Sequence, residues 1–362
     1  MPKATQLLHD RGQSLWLDNI TRDLLDSGTL ARYIDELSVT GLTSNPTIFD
    51  HAIKNSQSYD TAISRLVKQG LSSEELFFNL ALDDLTRAAD LFRPVYDRTG
   101  GVDGFVSLEV SPLLAYDTGS TIRAARELFA RANRPNLFIK IPGTPEGLPA
   151  IEQSIAAGVP VNVTLLFSSE HYVAAAQAFM RGIERRIAAG LNPQVASVAS
   201  LFISRWDAAV ASKVPEPLRN QLGIAVAKRA YKASGELLAS EQWRRAYNFG
   251  ARPQRLLWAS TGTKDPKASA TLYIDALATP FTVNTMPEGT LQALAAKTEV
   301  GALSTADDGA EMLARFAAAG IDVHALGAEL QEQGAKSFVA SWNDLMAVIE
   351  SKSQALVGSL SA

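Results

Sequence analysis

The chain has no cysteine among its 362 residues, which excludes disulfides, iron–sulfur clusters and thiolate zinc sites. Histidine is scarce: His9, His51, His171 and His324 lie far apart and show none of the spacings by which metal sites present their ligands, so no metal and no other cofactor is expected. No charge of one sign dominates. The formal net charge of −4 offers no bulk attraction to nucleic acid or to a membrane surface, so any recognition of phosphate has to be local. A long hydrophobic run is also missing, since no stretch approaches the roughly 18 uncharged apolar residues that a membrane span needs. The segment from Met1 to Asp10 lacks the apolar centre of a secretory signal, and a cytoplasmic location is expected.

What is present is an ordinary globular composition, 46% hydrophobic and 20% charged, in a chain longer than a usual single core. A barrel of alternating strands and helices reaches this length when it carries insertions. Short β-like runs recur at residues 15–19, 39–43, 104–109, 136–141, 159–164, 196–201, 255–260 and 281–285. Between them, segments such as 73–96, 120–132, 168–189, 219–239 and 306–316 space their apolar residues as a helix does, several opened by Ser or Asp cap candidates. Strand then helix, repeated without hairpin turns, predicts a parallel (β/α)8 barrel of the TIM type. The alternative is an open doubly wound sheet with an added helical domain. Neither a linker nor a repeat divides the sequence, so one domain over residues 1–362 is expected, with helices from about residue 306 packing on the outside of the barrel.

One lysine stands in an unusual place. Lys140 lies in Asn136-Leu-Phe-Ile-Lys-Ile-Pro-Gly143, an apolar run that reads as a buried strand, where an ammonium is costly unless it is paired or deprotonated. A desolvated lysine is a nucleophilic amine able to condense with a ketone or aldehyde to a Schiff base. The other reading is a lysine that reaches solvent at the strand end or pairs with a carboxylate. The remaining polar residues bear on the choice. Asp18 ends the first run, Asn45 follows the second, Glu109 ends the third, Lys140 is near the end of the fourth and Thr164 ends the fifth. In a parallel barrel chemistry gathers at the C-terminal mouth of the strands, so five consecutive strands deliver polar groups to one place, and the set suits imine chemistry.

These residues fall in motifs that resemble a known family. Trp16-Leu-Asp-Asn19, Gly41-Leu-Thr-Ser-Asn-Pro-Thr-Ile-Phe49, Val106-Ser-Leu-Glu-Val-Ser-Pro112, Phe138-Ile-Lys-Ile-Pro-Gly-Thr144, Val161-Asn-Val-Thr164 and Ser200-Leu-Phe-Ile-Ser-Arg205 follow, in order, the pattern of the transaldolases. Trp258-Ala-Ser-Thr-Gly-Thr-Lys264 resembles the longer-chain branch. The resemblance implies a (β/α)8 barrel that moves a dihydroxyacetone unit from sedoheptulose 7-phosphate to glyceraldehyde 3-phosphate. Erythrose 4-phosphate and fructose 6-phosphate would result, in the non-oxidative pentose phosphate pathway. It implies Lys140 as the Schiff-base lysine, Asp18 as acid/base, and Glu109 with Thr164 as the pair that positions a water. Asn45 would hold substrate hydroxyls, and Ser200, Phe202 and Arg205 would line the pocket with Arg205 on the phosphate. Small sugar phosphates are then the partners, with no nucleic acid and no membrane.

One region departs from the better-known pattern, in which an arginine after the seventh strand helps to hold phosphate. Here Ser260-Thr-Gly-Thr-Lys264 occupies that place, and a glycine-bearing loop with hydroxyls and a lysine is a plausible cradle on physical grounds. Ser260 and Lys264 are therefore further phosphate-ligand candidates; the plainer reading is a solvated turn. Two other functions compete: a class I aldolase that releases a free product, and a barrel that binds sugar phosphate without catalysis. The binding barrel would have no need of an imine-forming amine.

Overall fold

A computed structural model describes residues 3–301 and 307–360, the last four by backbone alone. Eight strands run β1 (Ser14–Asp18), β2 (Val39–Thr43), β3 (Val106–Glu109), β4 (Leu137–Pro142), β5 (Val161–Leu166), β6 (Ser197–Phe202), β7 (Arg255–Ala259) and β8 (Val283–Met286). All pair in parallel, and β8 returns to β1 to close a barrel in chain order. The expected (β/α)8 architecture is what forms, with each strand within a residue or two of its expected span. Closure leaves no open edge, so the doubly wound alternative does not apply.

The residues that line the two ends of the barrel differ in kind. At the N-terminal end Arg255, 7% exposed, donates to Ser14 Oγ and to the Thr282 carbonyl, each at 2.8 Å. Asp103 accepts from Trp16 Nε1 at 2.9 Å and from Ser14 Oγ. These groups hydrogen-bond one another across the floor, and of the Arg255 guanidinium only Nε lacks a partner among the described residues. Above the floor Gly41 on β2 lets two neighbours close in. A β-carbon there would lie 2.6 Å from the Phe105 carbonyl oxygen and from the Trp16 ring, so only glycine fits without moving backbone.

The expected helices appear at Ser73–Arg98, Thr118–Ala132, Ser169–Ala188, Leu222–Ala239 and Ala310–Ala318; the start expected at residue 306 lies outside the described residues. Ser72 opens the first of these with a complete capping box to Glu75. The helix Val323–Leu360 goes beyond the outside packing expected of this part of the chain. It packs on the helices Pro46–Asn55, Asp60–Val67 and Ser73–Arg98, and Gln331 Nε2 donates to the carbonyls of Gly143 at 3.1 Å and Leu165 at 2.9 Å, just beyond β4 and within β5. It therefore crosses the C-terminal mouth.

Beside the mouth a buried ion pair anchors the segment that follows β1. Arg22 donates to Asp84 at 2.9 Å, Tyr59 Oη donates to the second Asp84 oxygen at 2.8 Å, and the guanidinium stacks 4.7 Å from the Tyr59 ring. Asp84 is wholly buried, so removing its cation leaves a charge without compensation. Arg22→Met is expected to lower unfolding free energy by about 3–5 kcal/mol, measured as a fall in the urea midpoint at neutral pH; an unchanged midpoint would show that the pair contributes nothing.

Candidate active site

Register sets the centre of the mouth. β3 and β4 pair so that Glu109 lies opposite Lys140, and Lys140 Nζ donates to Glu109 Oε2 and to the Ser44 carbonyl just past β2, each at 2.9 Å. Both residues are 5% exposed. The lysine is thus deeply enclosed and also paired with a carboxylate, as the plainer sequence reading allowed. Burial, the largest influence, pushes the Glu109 carboxyl up from its ordinary value, with the charge and hydrogen bond of Lys140 opposing. Glu109 Oε1 and Thr164 Oγ1 are buried with no hydrogen-bond partner among the described residues.

Asp18, at the end of β1, is half-buried. It accepts at Oδ1 from Thr43 Oγ1 at 2.7 Å, and Thr43 in turn meets Thr285 Oγ1 at 2.7 Å. Because Thr43 gives its one proton to the carboxylate, Thr285 is the donor to Thr43. Burial raises the Asp18 carboxyl most strongly; the Thr43 hydrogen bond and the charges of Lys140 and Lys264 pull it back. On the opposite side Ser200 Oγ donates to Asn162 Oδ1 at 2.7 Å, and Asn162 Nδ2 donates to Ser107 Oγ at 3.1 Å, a chain across β6, β5 and β3. Asn45 caps the helix Pro46–Asn55 by accepting from the Ile48 backbone N–H at 3.0 Å, which leaves its amide nitrogen to the pocket. The turn-forming role and the pocket role of Asn45 are therefore compatible.

Around this centre lies a pocket lined by nine of the ten expected residues, Asp18, Asn45, Lys140, Thr164, Ser200, Phe202, Arg205, Ser260 and Lys264. The tenth, Glu109, sits behind Lys140 and reaches the pocket through it. Arg205 is held between two aromatic rings, its guanidinium carbon 5.2 Å from the centre of Phe202 and 5.8 Å from that of Phe338. Ser260 follows β7 with φ of 55° and meets Ser204 Oγ at 2.9 Å. Lys264 is exposed at the rim.

Sequence reasoning missed Thr43, Thr285, Ser107, Asn162 and Phe338. Asn162 carries the signal that marked Lys140, a polar residue within an apolar strand. Phe338 had only the helical spacing of Leu330, Phe338, Trp342, Leu345 and Ile349, which predicts a buried face without saying what it covers. Among the described residues no three His, Asp or Glu side chains form a group able to hold a metal ion, and no helix is long and apolar enough to cross a membrane.

Fold and site together define a (β/α)8-barrel enzyme whose mouth holds an enclosed amine, two carboxylates and a cationic rim. Comparison with known proteins narrows the class. The family model for transaldolase/fructose-6-phosphate aldolase matches residues 15–349, and the chain belongs to that family. It is 44% identical to a transaldolase of Frankia alni over 93% of this chain and 94% of that protein. A transaldolase of Thermobifida fusca is 43% identical over 96% of this chain and 97% of its own length. One from Thiobacillus denitrificans is 43% identical over 93% and 97%.

The enclosed pair makes a prediction about stability. In Lys140→Met, Glu109 keeps its burial but loses the opposing charge, so its folded-state carboxyl titrates still further above the unfolded value of about 4.3. A group raised in this way gives its full stability below the unfolded value, and that stability is lost as pH rises through the folded one. The variant is expected to be about 3–5 kcal/mol less stable than the parent near neutral pH and closer to it in acid, read from urea midpoints at about pH 5 and about pH 8. Lys140→Met/Glu109→Gln should lose that extra pH dependence. A single variant with the parent's pH profile would contradict the account.

Proposed function

We propose that this chain catalyses transaldolase transfer, moving a dihydroxyacetone unit from sedoheptulose 7-phosphate to glyceraldehyde 3-phosphate through a Schiff base on Lys140. The observation that carries the reading is the amine of Lys140, held 2.9 Å from Glu109 in a pocket shared with Asp18, Asn45 and Thr164. The cycle starts when Lys140 passes a proton to Glu109 and its lone pair attacks the donor's ketone carbon. A carbon–nitrogen bond forms, and the former carbonyl oxygen leaves as water. Glu109 supplies the proton for that departure, with Thr164 positioning the water; the buried Oε1 and Oγ1 that meet no partner among the described residues suit this traffic.

The protonated imine then draws electrons from the adjacent carbon–carbon bond. As that bond breaks, Asp18 takes the proton of the hydroxyl that becomes the aldehyde carbonyl. What supports Asp18 is its place on the pocket wall and the Thr43 donor, which fixes one carboxylate oxygen and leaves the other to act. A three-carbon enamine remains on Lys140. It attacks the acceptor aldehyde, Asp18 returns the proton to the new hydroxyl, and hydrolysis frees the product. Asn45 and Ser200 face the substrate hydroxyls. Arg205, with Ser260 and Lys264, takes the phosphate, whose double charge suits an arginine already oriented by two rings. Sugar phosphates are the partners on this reading, the chain works as one domain over residues 1–362, and its place is the cytoplasm within the non-oxidative pentose phosphate pathway.

Borohydride reduction in the presence of fructose 6-phosphate is expected to fix a three-carbon adduct on Lys140 alone, located by peptide mass mapping; an adduct on another lysine would overturn the assignment. Asp18→Ala should still form the trapped imine yet lose turnover by about 10²–10⁴. Turnover at the parent rate would make Asp18 structural only. Lys264→Ala is expected to raise KM for phosphorylated donors and leave unphosphorylated ones unaffected. Equal effects on both would remove Lys264 from the phosphate site.

A further inference from the structure

The last helix presents one face to the mouth. Gly327, Gln331, Gly334, Phe338 and Trp342 follow at intervals of three or four residues, and each meets the barrel or its helices. Gln331 grips two carbonyls beside the pocket. Gly334 comes so near that a β-carbon there would lie 3.0 Å from Leu165 and 3.3 Å from the Arg205 guanidinium. Trp342 packs edge-on against Phe77 with ring centres 5.1 Å apart. These contacts hold the intervening Phe338, 5% exposed, with its ring centre 6.0 Å from Lys140 Nζ and 6.4 Å from that of Phe202.

A benzyl side chain offers no proton donor and no acceptor. Set on the pocket wall 6.0 Å from Lys140 Nζ, it can only exclude water and shape the space. That bears on a choice the residues at the strand ends do not make. Resting on the transaldolase reading above, the enamine on Lys140 has two fates. It can form a carbon–carbon bond to an acceptor aldehyde, or its nucleophilic carbon can take a proton from water; the resulting imine then adds water, the carbon–nitrogen bond breaks, and dihydroxyacetone leaves with the amine restored. Both fates share every step up to the enamine and differ only in whether water supplies a proton at that carbon. From the apolar ring that the last helix seats beside the amine, we infer that Phe338 is a specificity-determining residue that favours transfer by keeping solvent from the bound three-carbon unit.

The test is the ratio of two rates on the full chain with fructose 6-phosphate as donor: dihydroxyacetone released without an acceptor, over transfer with erythrose 4-phosphate supplied. Phe338→Ala is expected to raise this ratio by about tenfold or more, equivalent to about 1.4 kcal/mol in the competition between two barriers. Phe338→Leu, which keeps an apolar cover of similar reach, should stay near the parent. In heavy water the released dihydroxyacetone should carry one solvent deuterium on carbon. General damage to the fold would lower both rates together and leave the ratio alone. Should Phe338→Ala fail to fold, Phe338→Val serves in its place, with a smaller rise expected. An unchanged ratio, with borohydride trapping on Lys140 intact, overturns the role of Phe338 and leaves the transfer reading standing. Absence of trapping in the parent overturns the reading on which it rests.

Discussion

An ammonium and a carboxylate withdrawn from water and set against each other at the end of two adjacent strands are the constraint from which the rest of the mouth follows. Each charge would be costly to bury alone, and each is tolerated because the other lies 2.9 Å away. Register decides whether they meet. Glu109 and Lys140 are opposite partners in the β3–β4 ladder, and since side chains alternate between the two faces of a strand, a slip of one residue would turn one of them outward and leave the other uncompensated. The pair also needs the Ser44 carbonyl from the end of β2. The place of β2 beside β3 is therefore part of what makes the lysine tolerable.

The polar groups of the mouth are organised as separate hydrogen-bonded sets, each spanning different strands. Thr285, Thr43 and Asp18 link β8, β2 and β1; Ser200, Asn162 and Ser107 link β6, β5 and β3. At the floor, Arg255, Ser14 and Asp103 hydrogen-bond one another, and near the lysine two oxygens on Glu109 and Thr164 meet no donor or acceptor among the described residues. The groups at the floor tie strands together, whereas those at the mouth line a pocket, the division of labour by which a parallel barrel separates stability from chemistry.

How much of this could be read in advance depended on how local the signal was. The eight strands were legible because each is a short apolar run bounded by polar or glycine residues, and Lys140 because it interrupts one of them. Asp18, Glu109 and Thr164 could be placed at the mouth by their position at strand ends. The helix Pro46–Asn55 escaped notice although Asn45 and Pro46 are cap and first-turn residues by type, since its apolar pattern is short. The bend at the end of β5 was also invisible: Leu165 takes a φ of 59° where the register with β6 shifts, and no residue type there announces a bulge. Phe338 was beyond reach because its meaning comes from a partner almost two hundred residues earlier in the chain.

The helix that carries Phe338 has a consequence for how the molecule comes into being. All eight strands are complete by Met286, and the wall that the helix Val323–Leu360 supplies emerges from the ribosome only afterwards. A barrel able to fold as it is made, domain before appendage, would pass through an interval with its lysine already in register and its roof still absent. During that interval Lys140 and Arg205 would stand without the ring of Phe338 beside them, and the arrival of the final helix is the event that completes the wall of the pocket.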